Sequence, residues 1–107
     1  MSTFDKREEA FESKFAHDAQ LKFKATARRN KLLGLWAAGL FGLTGADADA
    51  YAKEVVVADL QEAGDEDVFR KLRGDFDQRG VAQSDHEIRR AMDDLMAEAV
   101  KQVQQEG

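Results

Sequence analysis

The chain has 107 residues, neither cysteine nor proline, 35% charged and 43% hydrophobic residues, and a net charge of −5. That length holds one domain, and the hydrophobic share can pack a core instead of leaving the body disordered. The missing cysteines exclude disulfides and thiolate zinc sites, and the longest apolar run, Leu32 to Leu43, falls short of the ~20 residues that a membrane span requires.

Charge divides unevenly along the chain. Residues 1–31 hold eight Lys/Arg against five acids, and the remainder carries −8. Such asymmetry suggests a basic, partner-seeking arm on an acidic body. In residues 1–19, Phe4, Phe11 and Phe15 stand among Lys6, Arg7, Glu8, Glu9, Glu12 and Lys14. A helix with so little apolar support is marginal in water, so this arm is expected to be frayed or disordered when free. Two readings suit its phenylalanines: they cover the rim of the body, or they anchor a helix-in-groove ligand that orders on docking. The dense charge around them favours the second. Interleaved acids oppose an anionic lipid surface. Phe4 is followed at once by Asp5-Lys6-Arg7-Glu8-Glu9, so no secretion signal is expected, and the protein reads as cytoplasmic.

The next helix is expected over about residues 20–42. Leu33, Trp36, Leu40 and Leu43 line one face, Leu32 and Leu35 widen it, and Phe23 continues it more thinly. Gly34, Gly39 and Gly42 fall in or beside it, either to admit a close helix crossing or to end the helix early. Arg28-Arg29-Asn30-Lys31 invites a nucleic-acid reading. Its charges fan around the helix, however, and the acidic body would repel phosphate. A solvated helix face is the default, and contact with a nucleotide or other anion through Arg28, Arg29 and Lys31 is the alternative.

A second helix is expected over about 45–63, opened by a weak capping box of Thr44 and Asp47 and stopped by Gly64. Tyr51, Ala52, Val55, Val56 and Leu60 form its buried side. Val55-Val56-Val57 has no second strand with which to pair. The third helix, about 66–79, opens at Asp65, with Glu66 and Asp67 at the positive end of its dipole. Val68, Phe69, Leu72 and Phe76 form its stripe, Gly74 weakens it by ~1 kcal/mol relative to alanine, and Gly80 closes it. The last helix, about 85–104, begins with a Ser84/Glu87 capping box and carries Ile88, Met92, Leu95, Ala99 and Val103 as one stripe. The predicted architecture is an all-α four-helix bundle over 20–107 with a flexible or partly helical N-terminal arm.

Catalysis has no support. There is no Gly-rich phosphate loop, no His-Glu-x-x-His and no Cys-His pairing. His17 and His86 read as surface residues, and the acidic clusters as helix starts and helix surface, not as calcium loops. No catalytic residue, metal or cofactor is expected.

A long string of residues resembles one family. Phe4, Arg7-Glu8-Glu9-Ala10-Phe11-Glu12 and Lys14-Phe15-Ala16-His17-Asp18-Ala19 are similar to the opening of the alphaproteobacterial ATP synthase zeta subunit. The resemblance continues through Ala27-Arg28-Arg29-Asn30-Lys31-Leu32-Leu33-Gly34, Trp36-Ala37-Ala38, Ala50-Tyr51-Ala52-Lys53-Glu54-Val55-Val56 and Glu62-Ala63-Gly64-Asp65-Glu66-Asp67-Val68. It implies a monomeric helical bundle that inhibits ATP hydrolysis by the F1 head of the ATP synthase, peripheral to the inner membrane when bound. It further implies that the N-terminal segment enters a catalytic alpha/beta interface, reaches gamma and hinders rotation in the hydrolytic direction. Phe4, Lys6, Arg7, Glu9, Phe11, Glu12, Lys14 and Phe15 are then the residues expected to touch the partner. A nucleotide- or anion-binding helical regulatory module is the alternative function.

Overall fold

In a computed structural model the chain is described over residues 2–61 and 65–106, with side chains described for 20–59 and 65–106. Four helices follow one another: α1 Ser2–Leu40, α2 Gly45–Gln61, α3 Asp65–Arg79 and α4 Asp85–Glu106. No strand occurs among the described residues, so the fold is the expected all-α bundle. The last three helices start and stop within two residues of the expected bounds. α1 differs, because its helical backbone is continuous from Ser2, where the sequence reading starts a helix near residue 20. The chain has no proline, and no glycine precedes Gly34, so nothing interrupts the hydrogen-bond ladder of those first turns.

Caps define the turns. At the end of α1, Gly42 takes φ +80° and the Leu43 amide donates to the Ala38 carbonyl at 2.9 Å. Gly80, at φ +69°, does the same for α3, with the Val81 amide donating to Phe76 at 3.0 Å. Both are the left-handed closure that glycine makes without a Cβ penalty. The Ser84 hydroxyl accepts the Glu87 amide at 3.1 Å, and the Glu87 carboxylate accepts the Ser84 amide at 3.3 Å, which is the expected reciprocal box. Thr44 departs from expectation: its backbone carbonyl, not its hydroxyl, takes the Asp47 amide at 3.2 Å. The expected stop at Gly64 lies outside the described residues, as does the side chain of Leu60.

Successive helices run antiparallel. The Tyr51 hydroxyl of α2 donates to Asp75 of α3 at 2.7 Å, and as α4 advances from Asp85 to Arg89 its partner on α3 steps back from Arg73 to Glu66. The core gathers Leu33, Val55, Val68, Leu72, Phe76 and Ile88 from all four helices, each completely buried. Trp36 and Phe41 join it at Phe76, with ring centroids 5.7 and 4.9 Å away, close enough to add to the gain from burial alone. α1 and α2 cross tightly at Gly34, where a Cβ would meet the Ala52 Cα at 2.5 Å. Of the three glycines near α1, Gly34 therefore serves a crossing and Gly42 a stop, while Gly39 lies within the helix.

The molecule measures 62 × 26 × 23 Å. A helix of 39 residues is about 58 Å long and one of 22 residues about 33 Å. α1 alone spans the long axis, so its N-terminal half leaves the bundle.

Candidate functional site

The departure point of α1 is held by arginine. Ala25, Arg29 and Leu33 recur every fourth residue and all three are buried, Arg29 at only 1% exposure. The Arg29 Nε donates to Oδ1 of Asn30, and its Nη2 to Asp65 at the start of α3, both at 2.9 Å. A guanidinium can be buried because its fixed fork is satisfied by such partners; removing one would leave an uncompensated charge in the interior. One residue earlier, Arg28 donates to Gln102 at 2.9 Å and pairs with Glu106, at the far end of α4. Thus α1 is fastened to α3 and α4 within one turn, near the place where it leaves them.

This geometry corrects the reading of Arg28-Arg29-Asn30-Lys31 as a solvated face at Arg29 and Asn30, both buried, while Lys31 is exposed as expected. Arg29 faces inward because it occupies a core register position, and its charge is met by Asn30 and Asp65. The three cations do not converge: Arg28 turns to α4, Arg29 to α3, and Lys31 is exposed. Carboxylates already occupy two of them, so the arrangement offers no shared anion cradle. The spacing 25, 29, 33 is the sequence signal for Arg29, and the residue's charge obscures it.

Phe23 is the second correction. Sequence pattern makes it a thin continuation of the buried face, yet it is 69% exposed. Ala25 and Arg29 hold that face instead. Leu40, also expected on the face, is 42% exposed because α1 ends there.

The side chains of Phe4, Lys6, Arg7, Glu9, Phe11, Glu12, Lys14, Phe15 and His17 lie outside the described residues. Their backbone belongs to α1. At about 100° per residue, positions 4, 11 and 15 fall within about 40° of one another in the helical register. His86 is exposed on the first turn of α4. Among the described residues no group of His, Cys, Asp or Glu is placed to hold a metal ion, and no helix is long and apolar enough to cross a membrane.

The family model for "ATPase inhibitor subunit zeta" matches residues 1–102 of this chain. A protein whose structure was determined in solution by NMR is similar at 49% identity and a TM-score of 0.71, over 81% of this chain and 99% of its own. No curated protein matches this chain.

Proposed function

We propose, for a chain that belongs to the ATPase inhibitor subunit zeta family, that α1 delivers its first 19 residues into the F1 head as a wedge. The docking place is a catalytic alpha/beta interface, with the tip against gamma, and the consequence is hindered rotation in the hydrolytic direction. No chemistry is required of this chain. The observation that carries the reading is the family match, which begins at residue 1 and so includes the arm.

Geometry supports it. A helix fastened at Arg28 and Arg29 extends past its neighbours, and positions 4, 11 and 15 share one side of its register. Lys6, Arg7, Glu9, Glu12 and Lys14 set register on a partner through charge pairing, which governs orientation more than affinity. Ordering such an arm costs roughly 1–2 kcal/mol per residue in backbone freedom, and burial of aromatic anchors offsets that cost. The division into an arm over 1–19 and a body over 20–107 follows from this reading.

The test is steady-state ATP hydrolysis by the purified cognate head, titrated with the whole chain and with Phe11→Ala/Phe15→Ala. The wild-type chain inhibits, and the double variant needs at least tenfold more protein, as the loss of two aromatic anchors predicts. Equal potency of the two would remove the arm's phenylalanines from the site.

A further inference from the structure

Between Asp18 and Asp47 the chain contains no acidic residue, although 21 of its 107 residues are acidic. Five of its cations fall in that interval: Lys22, Lys24, Arg28, Arg29 and Lys31. At the chain's average composition about five acids would be expected there, so the interval is strongly biased in sign. Arg28 and Arg29 are consumed internally by Glu106 and Asp65. None of the ion pairs among the described residues includes Lys24 or Lys31.

Gln20, Phe23, Lys24, Ala27 and Lys31 are all exposed. At about 100° per residue they occupy a single arc of about 100° on α1, opening over a shallow cleft of about 400 Å³ bordered by Val56 of α2 and by Val103 and Glu106 of α4, the last already paired with Arg28. A phenylalanine 69% exposed beside these lysines is costly to leave in water and gives the body little packing energy in return. Such a face combines what a partner contact uses: an aromatic anchor at its centre and like charges at its edge.

We propose that this face of α1, Phe23 with Lys24 and Lys31, is a second docking contact that engages an acidic, apolar-centred surface on the outside of the same enzyme head. The inference rests on the wedge reading, through continuity. The face begins at Gln20, where the inserted segment ends, on the same uninterrupted helix. Residue 23 lies about 6 Å along the axis from residue 19, and residue 31 about 18 Å. Any surface that receives the arm therefore brings its rim against these residues. The charge sign selects among rims: a basic face on an acid-rich protein is matched by carboxylates. The arm supplies the block, and this face holds the body in place while the block persists.

The experiment is the same hydrolysis assay with full-length Phe23→Ala and Lys24→Glu/Lys31→Glu, at low and at moderate salt, with thermal melting of each variant alone. The expected result is a rise of about tenfold in the half-inhibiting concentration for Phe23→Ala, typical of an aromatic anchor. The charge-reversed pair rises further, and wild-type potency falls with salt more steeply than that of the pair. Melting temperatures stay at the wild-type value, because all three side chains are exposed. If Phe11→Ala/Phe15→Ala loses potency while both new variants stay within twofold of wild type, the wedge stands and this second contact is refuted. If the wild-type chain does not inhibit at all, both are refuted together.

Discussion

Gly34→Ala tests how tightly α1 and α2 are pressed together. The added methyl would meet the Ala52 Cα at 2.5 Å, the Ala52 Cβ at 3.1 Å and Val55 Cγ2 at 3.2 Å. The first of these is backbone, so no side chain can swing away to relieve it, and carbon atoms settle near 3.5–4.0 Å. The two helices must part by about 1 Å, which forfeits dispersion contacts along a seam that includes Leu33, Ala37 and Val55. Overpacking of this kind costs about 2–3 kcal/mol, while replacing a helical glycine with alanine returns about 1 kcal/mol. The net expectation is a loss of about 1–2 kcal/mol, or a melting temperature lowered by roughly 5–10 °C. Gly74→Ala is the matched control: it sits within α3 with nothing inside 4 Å of the added methyl. It is expected to gain about 1 kcal/mol from helix propensity alone. Thermal and urea denaturation, followed by circular dichroism, measures both. Should Gly34→Ala stabilise as much as Gly74→Ala, the helices do not cross this closely and the overpacking cost is refuted.

Two further substitutions probe polar groups in the interior. Arg29→Ala leaves Asn30 without its donor and hollows the joint between α1 and α3; a loss of about 2–4 kcal/mol is expected. Arg29→Met, which keeps the apolar stem, is expected to lose less than half of that, and equal losses would show that charge, not packing, holds the joint. Tyr51 is buried, and burial first, then its bond to Asp75, pushes its phenol well above the ordinary value. Because the folded pKa exceeds the unfolded one, the neutral phenol's contribution is whole below about pH 10. It is lost as pH rises further, at up to about 1.4 kcal/mol per unit. Urea unfolding from pH 8 to 11 should therefore show a steeper alkaline decline for the wild type than for Tyr51→Phe; identical slopes would clear the phenol of any part in it.

The bundle is legible in the sequence where its signals are local. The Ser84/Glu87 box and the stripe Val68, Phe69, Leu72, Phe76 read directly, because capping and helical period are properties of neighbouring residues. Phe41 is not legible as a core contact. It follows the last residue of α1, so periodicity gives it no face, and only the Gly42 closure turns its ring onto Tyr51 and Phe76. Arg29 and Phe23 mislead for a common reason: their chemistry outweighs their register in a reading by residue type. A cation at a core position and an aromatic at a surface one are each unusual alone, yet here they neighbour one another on the same two turns. The arm's aromatic pattern is legible, whereas its binding surface is not, since on the wedge reading that surface belongs to another chain.

The bundle's girth sets a limit that its sequence does not announce. Its cross-section is about twice the 10–12 Å width of a single helix. A slot that fits α1 alone will stop at the body as at a collar, about 30 Å behind the tip of the arm over residues 1–19. Depth of insertion is then metered by where α4 borders Leu21 and Lys22 of α1, not by the strength of any contact at the tip. Lengthening or shortening the helix ahead of that collar by whole turns would change how far the tip reaches while leaving the binding surfaces unaltered.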